Sequence, residues 1–478
     1  MVVAASDAAL LNLSAVEAVT QMSQGTLTSE QYAQALLARC ESIRALNAFI
    51  TLEPAHVLKD ARARDRERRA GAKPGPLFGL PIPVKDSVNT RDYPTTAGTP
   101  ALRHFQPTED APVVAALRAA GAIVLGKTNL HELSYGWTSN NLAFGAVHNP
   151  YDLSRIPGGS SGGTAAAIAA HLAPLGVAED TEGSIRVPAA LCGIAGFRPT
   201  TGRYSTRGCV PISPLFDQVG PHARNVADLA LFDSVITNDW RALEATPLEG
   251  VRLGIVRDYW FTDLDPQVEQ LTERALARLR SAGAEILETQ LPGLAALIDL
   301  TTYTIQNHDV RVALPRYLKD YRTGLDLETL VARASPDIQR IFRKHVLPGG
   351  AHFVTESAYA AARDRHLPAL HRLYQEYFAR TGVAAMVFPT TRVPAPRIGE
   401  ESTVEVRGRA LPFNTVIARN IAPGSTAGLP GLVLPVALTS NGLPVSIEFD
   451  APAGNDRALL ALGLSAERAL GPLPAPQI

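Results

Sequence analysis

Apolar positions recur at helical spacing from residue 28 to residue 46, TSEQYAQALLARCESIRAL. Thr28 and Gln31 supply the two halves of a capping box, so the helix is expected to start there. A second helical stretch covers roughly 55 to 70, and a third 111 to 120, followed by a buried strand at Ala122 to Leu125. Helix and strand alternate again near 165 to 178 and near 251 to 290, where VRLGIV leads into a helix from about 266 to 281. Leu80 to Val84 carries two prolines, which suits a short edge strand or strand entry better than a central strand. The stretch from 300 to 380 is more polar and mainly helical, and strand-like runs return at AAMVFP, GLVLPV and LPVSIEFD. This alternation predicts an α/β or mixed-sheet architecture. No low-complexity linker divides the chain, so one large domain over 1–478 is expected, with a mainly helical insert at about 290–380.

Composition narrows the partners. At 478 residues, 46% hydrophobic and 19% charged, the chain has ample apolar material for a large core. Lys and Arg total 45 against 46 for Asp and Glu, so no general field favours nucleic acid or an anionic membrane surface. The arm Arg62, Arg64, Arg66, Arg68 and Arg69 is interleaved with acids and reads as a solvated helix face. Three cysteines, Cys40, Cys192 and Cys209, cannot build a disulfide framework, and a reducing cytoplasm is the simplest setting. The first twenty residues lack a basic n-region, an apolar run and a cleavage site, and 18 uninterrupted apolar residues occur nowhere, so neither export nor a membrane span is expected. The histidines lack metal-ligand spacing, so no metal is expected. No cofactor is expected either.

Two motifs mislead. Gly121 to Thr128 matches the phosphate-loop pattern, but its central residues Ala, Ile, Val and Leu favour a buried strand, which cannot cradle phosphate. Gly158 to Gly162 matches the nucleophile elbow around Ser160, yet turn formers precede it where the elbow needs a strand. His345 or His366 could complete a triad with that serine, though nothing marks either one.

The chemical signal is concentrated between Pro157 and Ala190: a Gly-Gly-Ser160-Ser161-Gly-Gly block, an alanine-rich helix, then Asp180-Thr181-Glu182-Gly183-Ser184-Ile185-Arg186. An isolated Lys85 lies upstream after the proline-bounded strand. Together with GLPIPVKDSV, GKTNLHELSYG and GIAGFRPTTGR, in that order, these segments resemble the amidase signature family across nearly the whole chain. The resemblance implies an α/β fold with a large mixed twisted sheet flanked by helices on both faces. It also implies a catalytic trio of Lys85, Ser160 and Ser184, with Ser184 as nucleophile, and a cis peptide bond at Ser160. In that scheme Ser160 relays a proton between Ser184 and a neutral Lys85, holding a hydrogen bond to each. The backbone N–H groups of Thr181, Glu182, Gly183 and Ser184 form the oxyanion hole. Asp180 and Arg186 are expected to pair and shape the turn.

Within the family the likeness is to bacterial indole-3-acetamide hydrolases, with mandelamide hydrolases close behind. It is carried by NLHELSYGWTSNN, VPAALCGIAGFRPTTGRY and RNIAPGSTAGLPGLVLPV. This implies a small primary amide, aryl or arylacetic, as substrate, with contacts from Ser134, Trp137, Thr138 and Ser139 and from the Asn420 to Ala427 segment. A homodimer is a reasonable expectation for this class. The chain departs from the family's usual pattern at Glu179, where threonine is usual, at Glu182, where glycine is usual, and at Glu448, where many members have glutamine. Glu182 is expected to turn its carboxyl away from Ser184. The alternatives are a glutamine-dependent amidotransferase subunit, a hydrolase of other amides, esters or carbamates on the same fold, and a binding protein that has lost catalysis.

Overall fold

Long apolar strands without a polar alternate position need cover on both faces. The computed structural model, which describes residues 5–478, shows how that cover is supplied. Eleven strands form one sheet: β1 Phe49–Thr51, β2 Pro81–Lys85, β3 Ile123–Thr128, β4 Leu175–Asp180, β5 Ala195–Arg198, β6 Gln218–Ala223, β7 Arg252–Ile255, β8 Glu285–Glu288, β9 Ala385–Pro389, β10 Gly431–Leu438 and β11 Pro444–Asp450. Their order is β1-β3-β2-β4-β6-β5-β10-β11-β9-β7-β8. The sheet is mixed, with β3, β2 and β4 parallel in succession and β4, β6, β5, β10, β11 and β9 antiparallel. Side chains alternate across it. Val124 of β3 and Leu432 and Leu434 of β10 enter one core, while Ile123, Leu125 and Val433 enter another with Ala165 and Ile168 of the helix Gly162–Ala169.

The helix Ser29–Ser42 begins at the Thr28–Gln31 capping box that the sequence predicts and stops four residues short of the expected end, where a 3₁₀ turn takes over. Helices Pro54–Arg69, Pro112–Ala119 and Pro266–Ser281 also lie where the patterning puts them. The edge-strand expectation for Leu80 to Val84 is corrected: β2 lies inside the sheet, between β3 and β4. Pro81 and Pro83 are alternate residues, so their missing N–H groups fall along one side of the strand. On its β4 side β2 registers at one position, Val84 with Val177. Between β8 and β9 the chain is helical, led by the 27-residue helix Leu294–Asp320. Among the described residues no helix is long and apolar enough to cross a membrane.

Candidate active site

Because β2 and β4 are parallel neighbours, their carboxyl ends reach the same end of the sheet. β2 delivers Lys85 there; β4 delivers Glu179 and Asp180, and the turn that follows carries Thr181 to Ser184 into the helix Arg186–Leu191. Ser160 arrives from the Gly/Ser block, just before the helix Gly162–Ala169, and its peptide bond to Gly159 is cis. That helix can start so close to the sheet edge only because Gly163 has no side chain: a Cβ there would lie 2.3 Å from the carbonyl oxygen of Asn129. No strand leads directly into Ser160, as the elbow motif would require. The phosphate-loop look-alike is the buried strand β3, whose Lys127 pairs with Asp86 at 3.0 Å with both side chains fully buried.

Lys85 is fully buried, and its Nζ donates to Ser160 Oγ at 2.6 Å. No hydrogen bond joins the hydroxyls of Ser160 and Ser184 among the described residues; the two loops are tied through the backbone, Ser161 N–H to Ser184 O at 3.3 Å. Burial lowers the pKa of Lys85, opposed chiefly by the nearby Glu179 charge. Glu179 sits 2.7 Å from Nζ through Oε2, which also accepts from Ser134 Oγ at 3.0 Å. His131 and His222 are buried nearby, and burial pushes each down to about 4, so they are neutral at pH 7.

A buried network holds the turn at the nucleophile. Asp180 bonds Arg186 Nε at 3.1 Å and Arg198 Nη1 at 3.2 Å, and Arg186 reaches on to Glu448 Oε1 at 2.6 Å. Burial alone would raise the Asp180 pKa, but the two guanidinium groups outweigh it and hold the carboxyl well below the usual range. The expected pairing of Asp180 with Arg186 is therefore present, extended by Arg198 and Glu448. Asp180 Oδ1 also accepts from Gly183 N–H at 2.7 Å, which corrects one expectation: Gly183 does not present a free N–H to an oxyanion. Gly183 is instead the bending point of the turn, with φ of +99°, and a Cβ there would lie 2.9 Å from Ile421 Cγ2. Glu182 needs no such freedom, since its φ is not positive. Its Oε2 accepts from Gln306 Nε2 at 2.8 Å, so the carboxyl is directed at the helix Leu294–Asp320 rather than bonded to Ser184. Burial pushes Glu182 up to about 8.

Ser184 opens onto a cavity of about 530 Å³ walled by Tyr135, Trp137, Ile212, Tyr303, Ile341 and Val354, with Glu182, Gln306, Asn307 and Asn414 as polar points. Of the predicted contact residues, Ser134 and Trp137 line this cavity. Trp137 also anchors the nucleophile turn, its Nε1 donating to Glu182 O at 3.0 Å. Thr138 and Ser139 do not line it. Thr138 Oγ1 lies 3.1 Å from His131 Nδ1, and Ser139 Oγ donates to Ser160 O at 3.2 Å while accepting from Gly162 N–H at 3.0 Å. Both are short side chains whose hydroxyls are taken up by neighbouring loop groups. The Asn420 to Ala427 segment is likewise structural: Asn420 Nδ2 bonds Pro389 O at 2.7 Å, and Ser425 Oγ bonds Arg186. Tyr303, Gln306 and Asn307 come from the long helix and went unmarked in the sequence, because helical periodicity does not say which turn faces a cavity. His345 reaches the cavity wall, stacked on His352, and no hydrogen bond joins it to a serine among the described residues.

The amidase family model matches residues 31–460. Indoleacetamide hydrolase of Agrobacterium vitis is 38% identical over 438 residues, 91% of this chain and 92% of that protein. Mandelamide hydrolase of Pseudomonas putida is 39% identical over 481 residues, 98% of this chain and 93% of that protein. Among solved structures, an amidase crystal structure superposes with a TM-score of 0.85 at 32% identity, covering 96% of this chain and all of that one. With the family model spanning most of its length and both relatives covered almost end to end, the chain belongs to the amidase family and is a hydrolase acting on linear amides.

Proposed function

We propose that the protein hydrolyses a small aryl or arylacetic primary carboxamide to the acid and ammonia through an acyl-enzyme on Ser184. The observation that carries this reading is the buried 2.6 Å hydrogen bond from Lys85 to Ser160, whose loop is tied through its backbone to Ser184, which opens onto the cavity. The aromatic and aliphatic wall suits a planar ring, and two relatives of similar length act, by name, on indoleacetamide and mandelamide.

In this mechanism Ser184 Oγ attacks the amide carbon as its proton passes through Ser160 Oγ to Lys85 Nζ. The carbonyl electron pair moves onto oxygen, where the N–H groups of Thr181, Glu182 and Ser184 receive it. Each such donor is worth about 100-fold or more in rate. Collapse breaks the C–N bond, the proton returns through Ser160 to the leaving nitrogen, and ammonia departs. Water then attacks the ester by the same relay. The helical segment between β8 and β9 acts as an insert that roofs the acyl pocket.

Ammonia release from indole-3-acetamide, mandelamide, benzamide and glutamine tests the proposal, with Ser184→Ala alongside. An aryl amide is expected to be turned over, and Ser184→Ala to lose roughly 10,000-fold or more. Turnover of glutamine alone, or activity that survives Ser184→Ala, refutes it.

A further inference from the structure

A buried carboxylate touching the base is the feature the proton relay leaves unused. Glu179 is 2% exposed and Lys85 fully buried, and their Oε2–Nζ separation is 2.7 Å. Oε2 also accepts from Ser134 Oγ at 3.0 Å and Ser87 Oγ at 3.3 Å, and Oε1 lies 3.4 Å from Thr181 Oγ1. A carboxylate at this distance favours the ammonium form of the lysine against burial, and an ammonium cannot accept the proton of Ser160. A second proton acceptor in contact with the lysine resolves the conflict.

We propose that Glu179 is a positioning residue that shares the proton of Lys85, so that the base of this enzyme is the Lys85–Glu179 pair. This rests on the reading of Lys85 as base given above. The pair at rest carries one ionisable proton beyond neutral amine and carboxylate, held as Lys⁺/Glu⁻ or as Lys⁰/GluH, and its net charge is zero either way. During attack Lys85 passes a proton to Glu179 Oε2 and takes the one leaving Ser160 Oγ, which in turn takes that of Ser184. The pair is then Lys⁺/GluH, one positive charge against one new oxyanion. On collapse Lys85 returns a proton through Ser160 to the departing nitrogen, and Glu179 returns its own to Lys85.

The sign of the pH effect follows from the coupling. Inactivation by acid is the uptake of a second proton by the pair. Because Lys⁺/Glu⁻ is an additional resting form, that uptake occurs at a lower pH than protonation of the same buried lysine beside a neutral amide. The other charged and titratable groups around the pair are Asp180, held ionised by Arg186 and Arg198; Asp217, joined to Thr181 Oγ1 at 2.6 Å; the Lys127–Asp86 pair; Cys209; and the neutral His131 and His222. Burial and the Glu179 charge push Asp217 up to about 7. Removing that charge moves Asp217 down, opposite to the shift expected for the acid limb of the pair.

The test is the acid limb of kcat/KM for an aryl amide in the wild type, Glu179→Gln and Glu179→Thr, with circular dichroism to confirm folding and Ser184→Ala as control. Either folded variant is expected to retain a measurable but lowered alkaline plateau, because Lys85 must then take the proton alone. Its acid limb is expected to move up by at least one pH unit, so that activity measured below both limbs, relative to plateau, falls about tenfold. An unmoved or lowered limb, or loss of activity at every pH, overturns the proposal. Activity persisting in Ser184→Ala overturns the underlying reading instead.

Discussion

Glu182, the residue that most departs from expectation beside the nucleophile, makes a measurable demand on stability. It is 4% exposed, its Oε2 is satisfied by Gln306, and the Tyr303 hydroxyl lies beside the carboxyl. Burial raises its pKa from 4.5 to about 8. The folded state therefore binds the Glu182 proton more tightly than the unfolded state does. The associated stability is fully present below pH 4.5 and is lost progressively as pH rises to 8. That interval of about 3.5 pH units corresponds to an upper bound on the order of 5 kcal/mol. For a chain of 478 residues the unfolding entropy is about 1 kcal/mol per kelvin, so the effect amounts to about 3–5 °C in melting temperature. Glu182→Gln keeps an acceptor for Gln306 and cannot ionise. Melting temperatures of both proteins from pH 5 to pH 9 are expected to diverge, with the glutamine variant gaining about 3–5 °C on the wild type by pH 9. The same ionisation places a negative charge beside the developing oxyanion, so wild-type kcat/KM should fall above pH 8 while that of the variant holds. Parallel melting curves across the range would refute the assignment of a buried, protonated Glu182.

Gly183→Ala places a side chain at φ of +99° and 2.9 Å from Ile421 Cγ2, costing about 1–2 kcal/mol from the backbone alone; thermal unfolding should show it, and kcat should drop as Ser184 is displaced. Ser139→Ala removes the link between Ser160 O and Gly162 N–H, and about 1 kcal/mol of stability should go with it. Because Ser139 does not line the cavity, KM should stay within about twofold of wild type, an outcome that a direct substrate contact would not give.

Sequence alone determined the elements whose causes are local. The Thr28–Gln31 capping box starts a helix because both partners lie within one turn, and the apolar centre of Gly121 to Thr128 became strand β3 for the same reason. The order of Lys85, the Gly/Ser block and the Ser184 turn identified the family, because each segment keeps its own short-range pattern. The prolines of β2 misled, since proline composition reports which donors are missing and not how many partners a strand has. Tertiary structure decided everything that depends on which distant groups share a buried volume. Glu179 follows Lys85 by 94 positions, and only the parallel pairing of β2 and β4 brings their side chains to 2.7 Å. Gln306 meets Glu182 from a helix 124 positions further on, so the carboxyl that looked like a misplaced charge became a partnered wall of the cavity. The family resemblance assigns Ser139 and the segment that holds Ser425 to substrate contact; their hydroxyls are consumed by loop backbone and by Arg186. Burial sets the protonation of Glu182 and competes with Glu179 over that of Lys85, and burial is a property of the packed chain that no local pattern encodes.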